Sequence, residues 1–262
     1  MQTIKGLEPA RAIASGPYQL VCHARGDGDP VLCLHSGGFS SRQWKRLGDE
    51  LAPTHRVLLP DLIGYGASTP LPAGAPWHYR DDLPPLLELL DRPTHLVGHS
   101  YGGLLALQLA LARPDAVRSL ALYEPVAFGV LEDPANAPAL GATYDGEPWL
   151  RGFIDWWQGI GAWDRLAPEA RAAFLAVGWK VFKEVSTLVD DRTDRATYAT
   201  ITAPTLLLGG ALTPEPERRT LAALAEVMPR AELVVFPELG HMGPITHAAQ
   251  VNAAIVAHIT RW

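Results

Sequence analysis

Short, fully apolar runs recur along the chain, separated by stretches whose apolar positions fall at helical spacing. Val31-Leu32-Cys33-Leu34, Val57-Leu58-Leu59, Leu96-Val97 and the apolar end of 117–123 read as strands buried on both faces. Between them, 41–51 and 101–113 read as helices. So does 77–91, where Pro84-Pro85 must interrupt or restart the helix, since proline lacks an amide donor and clashes with the preceding turn. Near the start, 10–14 and 18–24 flank Ser15-Gly16-Pro17 and predict a β-hairpin. The rhythm resumes late, with strands at 205–208 and 232–236 and helices at 215–227 and 244–260. This alternation predicts an α/β fold whose sheet is mostly parallel, doubly wound and covered by helices on both faces.

The segment 128–202 breaks the pattern. It offers no convincing buried strand, and it holds Trp149, Trp156, Trp157, Trp163 and Trp179 out of eight tryptophans in the chain. Pro134, Pro138, Pro148 and Pro168 punctuate it. It reads as an inserted, mainly helical lid, with a core formed by 1–127 and 203–262. The competing reading is a second structural subdomain whose aromatics serve only packing.

Charge and composition narrow the partners. A net charge of −6, from 22 basic and 28 acidic residues, gives no electrostatic footprint for nucleic acid, and no basic run points to an anionic membrane. No apolar run reaches the length of a membrane-spanning helix, and Met1–Lys5 does not open a secretory leader. A soluble cytoplasmic protein acting on a small molecule is the expectation, with oligomeric state open. Cys22 and Cys33 lie in apolar strand-like runs and read as buried free thiols. There is no HExxH, no paired-cysteine spacing and no glycine-rich phosphate loop after the first strand, so neither a metal nor a nucleotide cofactor is expected.

The most informative stretch is 94–103. An apolar strand meets Gly98-His99-Ser100-Tyr101-Gly102 and runs into the helical Leu104-Leu105-Ala106-Leu107. A G-x-S-x-G turn between strand and helix is so tight that the glycine positions on either side, two residues from the serine, crowd the neighbouring chain and tolerate no Cβ. It presents the Ser100 hydroxyl at a helix N-terminus, where backbone amides favour developing negative charge. A serine nucleophile needs a base. His241, in Glu238-Leu239-Gly240-His241-Met242-Gly243 after the last strand, falls at the same edge of a parallel sheet as Ser100. His99 should point into the fold, His35 shapes the loop after the first core strand, and His247 falls in the final helix. Acyl transfer also needs donors for an oxyanion. The amide of Tyr101 is one candidate. Gly37, in His35-Ser36-Gly37-Gly38-Phe39, is the other, with Gly38 in reserve.

The segments His35-Ser36-Gly37-Gly38, Pro60-Asp61-Leu62-Ile63-Gly64-Tyr65-Gly66-Ala67-Ser68, Gly98-His99-Ser100-Tyr101-Gly102 and Gly240-His241 together resemble the α/β-hydrolase fold superfamily, in the usual order. The resemblance covers roughly 17–127 and 203–262. It implies that Asp61–Ser68 is structural, and that an acid follows a strand and orients the histidine. Members commonly carry that acid at the position held here by Thr213, which cannot bear a charge. Others carry it one strand earlier, where Glu124 stands; Glu215 is the alternative, as is no carboxylate at all. Asp145, Asp190, Asp191 and Asp194 would have to fold back from the insertion.

Ser100, His241 and Glu124, with Gly37 and Tyr101, imply hydrolysis of a carboxylic ester, lactone or thioester of a moderately apolar substrate through an acyl-enzyme. Dehalogenases and epoxide hydrolases of this scaffold use aspartate at the Ser100 position and are disfavoured. Carbon–carbon bond hydrolysis and perhydrolysis use the same residues, and a non-catalytic ligand-binding member remains a further alternative.

Overall fold

The computed structural model describes residues 11–132 and 143–262. Its strands are β1 (Arg11–Ser15), β2 (Tyr18–Arg25), β3 (Asp29–Leu34), β4 (His55–Asp61), β5 (Thr94–His99), β6 (Val117–Tyr123), β7 (Thr205–Gly210) and β8 (Ala231–Phe236). They form one eight-stranded sheet in the order β1-β2-β4-β3-β5-β6-β7-β8. β1 pairs antiparallel with β2, and β2 with β4, while every other neighbouring pair is parallel. The predicted hairpin is β1–β2, although residue 10, assigned to its first strand, lies outside the described residues.

Helices α1 (Lys45–Leu51), α2 (Leu83–Leu87), α3 (Tyr101–Ala112), α4 (Glu147–Gln158), α5 (Ala162–Arg165), α6 (Pro168–Leu188), α7 (Arg195–Tyr198), α8 (Glu215–Val227), α9 (Gly243–Thr246) and α10 (Ala248–Arg261) complete the fold. Side chains along a strand alternate between faces. Leu32, Leu34, Leu96, Leu120, Leu122 and Leu207 accordingly join one buried cluster, together with residues of α2, α3 and α8. Val31, Cys33, Val97, Ala121, Leu206 and Leu208 join a second, with residues of α1 and α10. Burial on both faces explains why these strands are unbroken apolar runs. β8, at the sheet edge, is the exception, with Glu232–Val235 exposed.

Two helix expectations need correction. The stretch 77–91 is a 3₁₀ turn over Tyr79–Asp82 followed by the short α2, in whose first turn Pro84 and Pro85 lie. Proline is tolerated there because a first-turn amide has no intrahelical acceptor. The stretch 244–260 is two helices, α9 and α10, broken at His247, so His247 is a junction residue and not part of the final helix.

Between β6 and β7 the described residues contain α4 to α7 and no strand. Pro148 and Pro168 stand in the first turns of α4 and α6, while Pro134 and Pro138 lie outside the described residues. Both cysteines are free and buried, and burial pushes both thiols up, Cys22 to about 12. No described helix is long and apolar enough to cross a membrane.

β3 lies between β4 and β5, so the chain leaves β3 toward one side and returns on the other. The loops after β3 and β5 therefore open onto one crevice at the carboxyl edge of the sheet, the place where open α/β sheets bind ligands.

Candidate active site

Among the described non-glycine residues, two have positive φ: Ser100 at 55° and Glu124 at 46°. Such backbone costs on the order of 1–3 kcal/mol and persists only where the surroundings enforce it. At Ser100 they do. Its amide donates to the Tyr123 carbonyl at 2.9 Å, tying the turn to β6. A Cβ on Gly98 would come within 2.5 Å of the Gly102 carbonyl oxygen, and one on Gly102 would meet the carbonyls of Leu34 and His35. Gly98 is thus where β5 meets the start of α3, and Gly102 is where α3 meets the end of β3, each too closely for any side chain. Ser100 caps α3 and is 8% exposed, on the wall of a cavity of about 360 Å³.

Glu124 follows β6 and is fully buried. Its amide donates to the Leu208 carbonyl at 2.9 Å, so the strained residue is bonded to β7. Its Oε2 accepts from His241 Nδ1 at 2.6 Å. Its Oε1 accepts from the Gly210 amide at 2.7 Å and the Thr213 hydroxyl at 2.6 Å. A carboxylate only accepts, so the Nδ1 proton is fixed and Nε2 is the imidazole nitrogen free to take a proton. Glu215, the alternative acid, lies in the first turn of α8 with an exposed side chain, 3.7 Å from Arg219. Asp191 bonds Tyr79 and Thr193 instead of His241.

His241 lines the same cavity as Ser100 and is 5% exposed. Trp157 of α4 stacks on its ring at 3.6 Å between centroids and 18° between planes. His99 lies on another side, with ring centroids 5.0 Å apart. Burial, reinforced by His241, holds the His99 ring neutral, with its pKa well below the ordinary histidine value. Its Nε2 then donates to the His241 carbonyl at 2.9 Å, and its Nδ1 accepts from Gln43 Nε2 at 3.0 Å. Gln43 Oε1 accepts in turn from the Ser36 amide at 3.0 Å and hydroxyl at 3.1 Å. One chain of bonds therefore joins the loop after β3, the residue before Ser100 and the backbone of His241.

Gly37 and Tyr101 both line the cavity beside Ser100. Tyr101 opens α3, whose first amides have no intrahelical acceptor. Of the two glycine candidates, Gly37 is the one that lines the cavity. His35, as expected, braces its loop: Nδ1 bonds the Ser36 carbonyl at 2.8 Å and Nε2 accepts from the Leu62 amide at 3.0 Å. Asp61 braces the next loop. Burial alone would raise its carboxyl, but bonds from His23 and the Ala67 and Ser41 amides overcome this and hold it at about 2.

The remaining cavity wall is mostly apolar, with Phe39, Phe128, Phe153, Trp157, Phe174 and Met242 prominent. Of the five tryptophans in the insertion, Trp157 alone lines it. Trp149 stacks on Phe153, and Trp163 is buried with its indole N–H donating to Glu147. Behind the wall, Lys180 of α6 is buried against the Trp77 ring at 4.3 Å, and its Nζ donates to Asp82 at 2.7 Å. The Tyr101 hydroxyl also donates to Asp82, at 2.6 Å. Gln43, Lys180, Asp82 and Glu184 were not legible as site residues. Among the described residues no group of three or more His, Cys, Asp or Glu is placed to hold a metal ion.

Known proteins resemble this chain in sequence and in fold. The chain is 30% identical over 258 residues to the pimeloyl-[acyl-carrier protein] methyl ester esterase of Chromobacterium violaceum, covering 89% of this chain and 95% of that one. It is 29% identical over 273 residues to the 2-hydroxymuconate semialdehyde hydrolase of a Pseudomonas species, covering 95% and 93%. A crystal structure of a hydrolase from Pseudomonas aeruginosa superposes with a TM-score of 0.75 at 25% identity, over 95% of this chain and 98% of that one. The model of the alpha/beta hydrolase family matches residues 31–254, and this chain belongs to that family.

Proposed function

We propose that this protein is a serine hydrolase that cleaves a carboxylic ester through an acyl-enzyme at Ser100. The observation that carries the reading is the 2.6 Å bond from His241 Nδ1 to a buried Glu124, with His241 and Ser100 lining one cavity. Glu124 holds the imidazole in the tautomer whose Nε2 can accept the Ser100 proton and stabilises the imidazolium that forms. The alkoxide attacks the carbonyl, and the amides of Gly37 and Tyr101 hold the resulting oxyanion, each contributing about 3 kcal/mol. His241 then protonates the leaving alcohol. It next activates the water that releases the acid.

In this reading α4 to α7 form a lid, and the aromatic wall selects a small to medium, moderately apolar substrate. The reading is tested with nitrophenyl esters of increasing acyl length. Saturable release of nitrophenol that disappears in Ser100→Ala and His241→Ala supports it. Undiminished turnover in either folded variant refutes it.

A second reading, hydrolysis of a carbon–carbon bond by the same three residues, draws on the likeness to the 2-hydroxymuconate semialdehyde hydrolase. A diketone-type substrate in the same assay separates the two.

A further inference from the structure

β8 is an edge strand without the usual protections of an edge. Among the described residues no strand pairs with its outer side. Its sequence, Ala231-Glu232-Leu233-Val234-Val235-Phe236, contains no lysine and no proline, and it pairs with β7 residue for residue, without a bulge. Its one charged side chain, Glu232, bonds Arg261. Soluble proteins normally blunt an edge with such features, because its outward amides and carbonyls invite another strand. Leu233 and Val235 stand on one face and Val234 on the other, and all three are exposed, Val235 by half. Trp262, beyond the end of α10, adds exposed apolar surface beside Arg230, whose guanidinium lies 4.7 Å from its ring. The opposite edge of the sheet differs: in β1 Ile13 is buried, and the exposed side chains are Arg11, Ala12 and Ala14.

The backbone decides which groups point outward. The Arg230 and Phe236 carbonyls accept from the Thr205 and Ala211 amides at 3.0 and 2.9 Å. Polar groups of successive strand residues turn to opposite sides, so the even-numbered positions 230–236 face β7, and the amides and carbonyls of Ala231, Leu233 and Val235 point away from the sheet. A second β8 laid antiparallel, in a register centred on Val234, sets Leu233 opposite Val235 of the partner subunit, so that outward groups meet outward groups. The same register brings Arg230 toward Glu238 of the partner subunit, and two-fold symmetry repeats this ion pair; both side chains are exposed. Centring the register on Leu233 instead would lose both ion pairs.

From this self-complementarity we infer that β8 is a dimerisation edge, on which a second copy of this chain adds its own β8 antiparallel about Val234 and joins the two eight-stranded sheets into one. A two-fold contact of this kind closes on itself, whereas β8 laid on β1 of another copy would propagate into an open polymer. Because β8 runs in opposite directions in the two subunits, the carboxyl edges of their sheets, and the two candidate active sites, face opposite ways.

Analytical ultracentrifugation of the whole chain tests the inference. The wild-type protein is expected to sediment at twice the monomer mass at about 100 µM. Val235→Pro removes an outward amide and leaves the bonds to β7 in place, so it is expected to be monomeric with unchanged circular dichroism. Arg230→Glu is expected to weaken the dimer about tenfold, and adding Glu238→Arg to restore it. Val234 falls on the two-fold axis, where the facing Cα atoms of a non-hydrogen-bonded pair are about 4.5 Å apart, a separation that a disulfide spans. Val234→Cys is therefore expected to form a covalent dimer on mild oxidation. Leu233→Cys, which lies two residues out of register with its own copy, is expected not to. Both native cysteines are buried. A wild-type monomer at that concentration overturns the inference. So does a dimer that survives Val235→Pro, a dimer in which Val234→Cys stays unlinked, or an open polymer. If Val235→Pro fails to fold, the Val234→Cys cross-link decides.

Discussion

The Thr213 hydroxyl donates to Glu124 Oε1 at 2.6 Å. The position from which relatives commonly extend an acid to the histidine thus holds a donor to an acid on the neighbouring strand. Glu124 takes three hydrogen bonds, from Thr213, Gly210 and His241, which compensate a fully buried carboxylate. Thr213→Val removes one charge-assisted bond at nearly constant volume. It is expected to lower kcat for a nitrophenyl ester by about tenfold with little change in KM, as steady-state kinetics would read out. An unchanged kcat would mean that Thr213 only packs.

Glu124→Gln keeps the shape and removes the charge that holds the His241 tautomer and stabilises its protonated form. A loss of roughly 10²–10⁴ in kcat is expected, with the fold intact by circular dichroism. Near-normal turnover would assign the acid role elsewhere.

Trp157 covers one face of the His241 ring at 3.6 Å. An indole face favours an imidazolium by about 0.5–2 kcal/mol, so the stack should stabilise the charged state that His241 enters during turnover. Trp157→Phe retains a π face, while Trp157→Leu retains only apolar cover. The expected order of kcat is wild type, then Phe, then Leu, with Leu down by roughly 2- to 30-fold. Equal rates for the Phe and Leu variants would limit Trp157 to a packing role.

Glu217 of α8 is buried, neither carboxyl oxygen has a hydrogen bond, and burial together with the Glu124 charge pushes its pKa well above the ordinary value of 4.5. The folded state therefore holds a proton that the unfolded chain releases above pH 4.5. The stability this group contributes is complete below that value. It falls by up to about 1.4 kcal/mol per pH unit as pH rises toward the folded pKa. Glu217→Gln removes this loss. Thermal melts at pH 4.5 and pH 8 should show the variant gaining on the wild type as pH rises, and a constant difference would contradict this.

Local sequence marks much of the candidate site. Ser100 was legible because the crowding that demands Gly98 and Gly102 arises where a strand turns directly into a helix, and Glu124 emerged once Thr213 was seen to lack a charge. The helix 215–227 was read at its observed bounds because its apolar face is regular. What escaped depends on contacts between distant positions. Gln43 meets His99 across 56 residues, and Tyr65 meets Glu184 across 119, with nothing in either local pattern to mark the partner. Choosing Trp157 from five tryptophans likewise required the path of α4. The stretch 77–91 misled because its apolar positions fit a helix while its prolines allowed only a short one.

The central claim is that Ser100 is a nucleophile activated by His241. A fluorophosphonate reacts covalently with such a serine, and peptide mass spectrometry locates the adduct. The account predicts one adduct, on the peptide containing Ser100, absent from Ser100→Ala and strongly slowed in His241→Ala. A folded wild-type protein that stays unlabelled, or carries its adduct on another residue, would contradict it.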